Sequence, residues 1–246
     1  MNATDLQNAT AEDILAWTYR RFGRVALVAS FQAESMVLID LACKIVRAPE
    51  VLTLDTGRVH EETHDYIEYV REQFPIRLRI LAPESTELEA MTSEHGDMLF
   101  RKSVALRNQC CAVRKVNPLA RALRDYDAWI TGLRRDQTPT RAATPVVASD
   151  PGHEGMTKVV PLASWSRDQV WDYLRDHGIP HHPLYDRGYM SIGCAPCTRA
   201  TQPGEQERAG RWWWESDAHK ECLLHPPIEI AGAPEPAEVP ARQGAV

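Results

Sequence analysis

Val25-Ala26-Leu27-Val28-Ala29, followed without a break by Ser30-Phe31-Gln32-Ala33-Glu34-Ser35, is the stretch that decides the fold. The first five residues are apolar without interruption and too few for an ordinary helix. That is the pattern of a strand buried on both faces of a parallel sheet. The polar run after it belongs to a strand-to-helix turn, and the helix it opens is expected over residues 34–46.

The same alternation extends both ways. Upstream, Thr10-Ala11-Glu12-Asp13 predicts a helix capped by Thr10 that runs to about Phe22 and is stopped by Gly23. Downstream, Val51-Leu52-Thr53-Leu54 is a second strand ending at Asp55-Thr56-Gly57-Arg58, residues 60–73 a helix and Arg77-Leu78-Arg79-Ile80-Leu81 a third strand. Ala128-Trp129-Ile130-Thr131 is a fourth, ending at Gly132-Leu133-Arg134-Arg135-Asp136-Gln137, and Lys158-Val159-Val160 a weaker fifth. Ser166-Arg167-Asp168-Gln169 caps a further helix that reaches His177 and stops at Gly178-Ile179-Pro180. Strands alternating with helices imply an α/β fold with a right-handed, doubly wound parallel sheet.

In such a sheet the ligand lies outside the carboxyl ends of the strands. Residues 30–35, 55–58 and 132–141 are expected to share that rim, and the first of them opens a helix whose amino terminus attracts anions. Each alone reads equally well as a plain turn, because such turns favour Ser, Gly and Asp for backbone reasons. Three on one rim point to a site. Ser30-x-x-x-x-Ser35 has the shape of a pyrophosphate loop whose glycines are replaced by Phe31, Gln32, Ala33 and Glu34. A narrower anion than a triphosphate is implied, and Glu34 is expected to repel a triphosphate.

Two cysteine pairs stand apart from this pattern: adjacent Cys110 and Cys111, and Cys194-Ala195-Pro196-Cys197 about 80 residues on. Together they read as a four-thiolate metal site. Adjacent cysteines sit awkwardly on one tetrahedral zinc, whose ligand pairs are usually separated by two to four residues, whereas an iron–sulfur cluster spreads them over several irons. Zinc stays open, because a cysteine pattern identifies a soft-metal site more surely than the metal. Disulfides are disfavoured: Met1 to Asn8 lacks the basic start and apolar core of an export signal, so a reducing compartment, the cytoplasm, is expected.

The 246 residues, 43% of them apolar, suffice for one α/β domain with a sizeable core plus a short appendage. With 28 basic against 34 acidic side chains and a net charge of −6, nucleic acid is excluded as a bulk partner. No apolar run approaches membrane-spanning length, the longest being broken by Asp40 and Lys44. Composition leaves the oligomeric state open, a homo-oligomer included.

From Ser30 to His225 the chain resembles the assimilatory adenylyl-sulfate reductases, the thioredoxin-dependent, iron–sulfur branch of a family that also contains the phosphoadenylyl-sulfate reductases. The motifs that carry the resemblance are Ser30-Phe31-Gln32-Ala33-Glu34-Ser35, Leu54-Asp55-Thr56-Gly57-Arg58, Cys110-Cys111 with Arg114-Lys115, and Gly132-Leu133-Arg134-Arg135-Asp136-Gln137. Cys194-x-x-Cys197, Glu207-Arg208-Ala209-Gly210-Arg211-Trp212-Trp213-Trp214 and Lys220-Glu221-Cys222-Leu223-Leu224-His225 complete the set. Leu223 stands where the family usually has glycine, a departure that bears on the turn of this segment, since leucine adopts positive φ only at a cost.

The resemblance implies a sheet of the adenine-nucleotide alpha-hydrolase (PP-loop) type and a four-iron four-sulfur cluster on Cys110, Cys111, Cys194 and Cys197. It implies that Cys222 attacks the sulfur of adenylyl sulfate, AMP leaves, and reduced thioredoxin releases sulfite from the S-sulfocysteine. Within the family, paired cysteines go with the substrate that lacks a 3′-phosphate. The residues suit these roles. Cys222 lies among Arg208, Arg211, Lys220 and His225, and cationic neighbours raise a thiol's thiolate fraction. Lys115, Arg134, Arg135, Arg208 and Arg211 are expected to hold the phosphosulfate, with Ser30, Phe31, Gln32, Ser35, Asp55, Thr56, Gly57 and Gly132 lining the nucleotide side. His225 is placed to help hold the thiolate. No second cysteine neighbours Cys222, so an outside dithiol is required. The bland readings are a surface thiol at Cys222, a solvated helix face at 208–211, packing for Trp212, Trp213 and Trp214, and core for Cys43. A zinc-containing, ATP-splitting enzyme on the same fold is the reading from another class. The expected organisation is a nucleotide- and cluster-binding domain over 1–200, a catalytic segment over 201–225 and a disordered proline- and alanine-rich end over 226–246.

Overall fold

The computed structural model describes residues 5–216 together with Glu221 and Leu224. Its centre is a sheet of six strands in the order β3-β2-β1-β4-β6-β5. These are β1 (Val25–Val28), β2 (Glu50–Leu54), β3 (Arg77–Leu81), β4 (Ala128–Thr131), β5 (Val147–Asp150) and β6 (Met156–Val159). All neighbours pair parallel except β5, which runs antiparallel to β6 with Val147 opposite Val159. The weak strand expected at 158–160 begins two residues earlier, and β5 was not expected. Its residues Val-Ala-Ser-Asp are short and half-exposed, so they carry no apolar run.

Alternation along the strands explains why both faces are covered. Val25, Leu27, Val51 and Ile130 point into a large core under α1 (Ala11–Arg21), α2 (Ala33–Ile45), α3 (Glu61–Gln73) and α7 (Arg167–Asp176). Ala26, Leu52 and Trp129 point the other way, against Leu119, Ala122 and Leu123 of α6 (Asn117–Leu123). A strand hemmed in on both sides is apolar at nearly every position: β1 is so throughout, and β4 as far as Thr131 at its carboxyl end. β3 is an edge, and its Arg77 and Arg79 pair outward with Glu50 and Asp125.

The predicted caps are in place. Thr10 accepts from the Asp13 N–H at 3.1 Å, and Ser166 with Gln169 forms a reciprocal capping box. After α4 (Ser85–His95), α5 (Val104–Cys111) passes through a π-helical stretch, Ala112–Val116, directly into α6. The wider turn re-aims the residues after the cysteine pair, the usual use of π-helical insertions at functional sites.

Candidate active site

The carboxyl ends of β1, β2 and β4 open on a cavity of about 190 Å³. Ser30, Gln32 and Ser35 line it from the loop after β1, Thr53 and Thr56 from β2 and its turn, and Thr131 and Gly132 from β4. The loop after β1 reaches its shape without glycine. Phe31 takes the left-handed conformation, φ 55°, and its ring is fully buried in the core. The Ser35 hydroxyl accepts from the Ser30 N–H at 3.0 Å, and Gln32 donates to the Ser30 hydroxyl while accepting from the Ile192 N–H at 2.7 Å. Gln32 therefore ties this loop to the segment that carries Cys194. Gly132 is required for a different reason: a Cβ there would stand 2.9 Å from the Cβ of Glu34.

Lys115, Arg141, Arg208 and Arg211 are the cationic side chains of the cavity wall, and they come from three separate stretches of chain. Convergence of this kind is what a doubly anionic ligand requires. Two of the carboxylates nearby are already taken. Glu34 accepts from Arg134 at 2.8 Å and from Gln137 at 3.0 Å, and Glu207 accepts from Arg134 at 2.8 Å. The repulsion expected from Glu34 is thus largely cancelled.

Arg134 is occupied in full. Its guanidinium, 1% exposed, pairs with Glu34, Asp136 and Glu207. Arg135 turns away and donates to the Thr144 carbonyl and Gln7. Neither reaches the cavity wall, and nor do Phe31, Asp55 or Gly57. The expected pair of arginines is replaced by Arg141, six residues further along the same loop, which donates to Gln137 at 2.6 Å and to Glu221 at 2.9 Å.

Asp55, Thr56 and Gly57 act one step back. The Asp55 carboxylate accepts from the Gly57 N–H, and the turn so formed presents the Thr56 carbonyl to Arg114 at 2.7 Å and its hydroxyl to the Cys194 sulfur at 3.3 Å. The Arg58 carbonyl accepts from the Ala195 N–H at 2.7 Å. One turn at the sheet rim therefore docks both cysteine-bearing segments.

Cys110, Cys111, Cys194 and Cys197 line a second, smaller cavity beside the first, and none is in a disulfide. Arg58, Arg107, Arg114, Lys115 and Arg211 line it too, and Arg107 and Arg211 lie 4.6 and 4.7 Å from the Trp212 ring. Burial, with Cys194 beside it, pushes the Cys197 thiol up to about 12 against the pull of Lys115 and Arg211. Burial raises Cys110 as well, against Arg114 and Arg58. As bare thiols Cys110 and Cys197 are protonated, and five basic side chains line the space around the four sulfurs. Thiolates held by a soft metal would answer that charge. Among the described residues no three His, Cys, Asp or Glu side chains converge on one point as the ligands of a single ion would. Lys115 and Arg211 line both cavities and so connect them.

Cys222 and His225 lie outside the described residues. Their neighbours do not: Leu224 lines the larger cavity, and the Glu221 carboxylate meets Arg141 at its wall. Burial alone would raise the Glu221 carboxyl, but Arg141 and Arg208 outweigh it and hold it below the usual carboxylate range. Trp212 is packed as expected, at 1% exposure, and Cys43 sits against the main core.

A doubly wound sheet with its cavity at the strand carboxyl ends defines an α/β protein of the adenine-nucleotide alpha-hydrolase type. Residues 24–200 match the family model of the phosphoadenosine phosphosulfate reductase domain, and the chain belongs to that family. An adenosine 5′-phosphosulfate reductase of Pseudomonas aeruginosa is 41% identical over 228 residues, 91% of this chain and 85% of its own. One from Burkholderia cepacia is 44% identical over 212 residues, covering 86% and 84%. Among solved structures, a phosphoadenylyl-sulfate reductase of Candida auris superposes with a TM-score of 0.68 at 26% identity over 79% of this chain and 92% of its own. Yeast FAD synthetase shares the fold, with a TM-score of 0.55 at 13% identity over 80% and 72%. No helix among the described residues is long and apolar enough to cross a membrane.

Proposed function

We propose that this chain reduces adenylyl sulfate to sulfite and AMP, with reduced thioredoxin as electron donor, in cytoplasmic sulfate assimilation. The observation that carries the reading is the cavity wall: Lys115, Arg141, Arg208 and Arg211 face one space at the nucleotide end of the sheet, Leu224 lines it, and Glu221, next to Cys222, pairs with Arg141. The Cys222 thiolate attacks the sulfate sulfur. The bond from that sulfur to the bridging oxygen breaks, and AMP leaves with the electron pair on its phosphate. Arg and Lys suit this step because charge grows on the departing phosphate oxygen. A donor thiolate then attacks the Cys222 sulfur, sulfite departs with the bonding electrons, and the donor's second thiol closes its disulfide. His225 completes the set as the group that helps hold the thiolate.

Cys110, Cys111, Cys194 and Cys197 would hold a four-iron four-sulfur cluster. What supports a cluster over one zinc is that two cysteine pairs distant in sequence line one cavity together with five basic side chains, and that adjacent cysteines suit several irons better than one tetrahedral ion. When bound, it supplies a fixed negative charge, and Lys115, which borders both cavities, stands between that charge and the substrate. On this reading the division of labour follows the chain: residues 1–200 bind nucleotide and cluster, and residues 201–225 carry the nucleophile.

The phosphoadenylyl form of the substrate is the second reading, favoured by the family description and the Candida auris structure. The relatives at 41% and 44% identity, and the adjacent cysteines, favour adenylyl sulfate. One experiment addresses cluster and nucleophile together. Protein purified without oxygen should contain about four irons per chain with broad visible absorption. The Cys222→Ser variant should keep that iron and form no sulfite, because a serine hydroxyl is far less readily ionised. Active protein carrying stoichiometric zinc and no iron would sink the cluster, and sulfite from Cys222→Ser would sink the nucleophile.

A further inference from the structure

The reaction as written leaves Glu221, the residue before the nucleophile, without a part. Its surroundings are built. The carboxylate accepts from the Thr138 and Thr140 hydroxyls at 2.9 and 2.8 Å and from Arg141 at 2.9 Å, with Arg208 3.6 Å away. Its backbone carbonyl accepts from Arg107 at 3.1 Å. Arg107 cannot drift, because it is 1% exposed and its other nitrogens donate to both oxygens of Glu215 at 3.0 and 2.9 Å.

These contacts reach Glu221 from two parts of the molecule. Thr138, Thr140 and Arg141 belong to the loop after β4, on the nucleotide side. Arg107 belongs to α5, one helical turn before Cys110, on the cysteine side. A residue held at both its carboxylate and its carbonyl has little rotational freedom left, and the next Cα follows at about 3.8 Å. We propose that Glu221 is the positioning residue of the nucleophile, clamping the segment so that Cys222 is set against the phosphosulfate. This rests on the assignment of Cys222 above.

The clamp uses two of the cations that face the substrate. Deleting the carboxylate therefore misplaces the nucleophile and at the same time removes a negative charge that Arg141 and Arg208 now face. Turnover and affinity should move apart, which loss of a merely structural contact would not produce.

The test compares full-length, iron-loaded wild type with Glu221→Ala and Glu221→Asp. In Glu221→Ala, kcat should fall about 10²-fold, as expected when a reacting group is displaced by about 1 Å. KM for adenylyl sulfate and Kd for AMP should stay level or tighten, and Glu221→Asp should recover part of kcat. Alkylation of Cys222 by iodoacetamide, slowed by AMP in the wild type, should lose that protection in Glu221→Ala. If Glu221→Ala does not fold, Glu221→Gln, which keeps an acceptor and gives up the charge, is measured in its place. Wild-type turnover in the variant, or kcat and AMP affinity lost together, overturns the proposal. Sulfite release by Cys222→Ser would instead overturn the assignment beneath it.

Discussion

Arg134 and Arg141 stand seven positions apart in one loop, and nothing in residue type separates a phosphate ligand from a structural guanidinium. What separates them is the partner list. Arg134 is enclosed by Glu34, Asp136 and Glu207, two of them distant in sequence, whereas Arg141 lines the cavity and pairs with Glu221. Those partners are tertiary facts, so the sequence alone could not tell that Arg141 lines the cavity while Arg134 and Arg135 turn to other partners. Burial and the adjacent Glu34 push the Glu207 carboxyl up, against the pull of Arg134, so removing Arg134 strands two carboxylates in a poorly solvated site. Arg134→Ala should therefore cost about 3–5 kcal/mol of stability, the range for breaking a buried ion pair from one side. Urea unfolding checks this; a loss confined to turnover, with stability intact, would restore Arg134 to the substrate.

Among the elements, β1, β2 and β4 with their helices were legible because two-sided burial forces predominantly apolar runs, and the caps at Thr10 and Ser166 because their hydrogen bonds are local. β5 was not, since a short antiparallel edge strand needs neither an apolar run nor a turn signature. The rim stretches were found, yet the job of Asp55, Thr56 and Gly57 in docking the cysteine segments was not, because it depends on Arg114 and Cys194 arriving from elsewhere. The segment at 180–184 carries a pH-dependent contribution of the same tertiary origin. His182 is fully buried, accepts from the Leu184 N–H and so donates through Nε2 to Thr63, which lines the larger cavity. Burial, with His60 nearby, lowers its pKa to about 4. The unfolded chain takes up this proton from about pH 6.5 and the folded chain only near 4, so stability is full above the first value and is lost as pH falls toward the second. The loss amounts to about 2 kcal/mol between pH 7 and pH 5. His182→Asn, compared with wild type by thermal unfolding at the two pH values, should show a smaller difference; an equal difference would remove His182 from the account.

Across the whole molecule, one side of the sheet rim holds a nucleotide-type loop and the other a cysteine cavity, with Lys115 and Arg211 common to both. Glu221 bonds to Arg141 of the first and to Arg107 of the second, and Leu224 lines the first. The charge pattern follows from that plan: cations are gathered where an anionic substrate and a thiolate-bound centre would lie, in a chain whose net charge is −6. The central claim is that one sulfur, on Cys222, takes the sulfite group from adenylyl sulfate before any donor acts. The most direct measurement is intact-mass analysis of wild-type protein mixed with adenylyl sulfate in the absence of thioredoxin, followed by peptide mapping. The account predicts a single sulfite-mass adduct on the peptide containing Cys222, discharged as free sulfite when reduced thioredoxin is added. An adduct on Cys110, Cys111, Cys194 or Cys197, or sulfite released with no adduct formed, would contradict it.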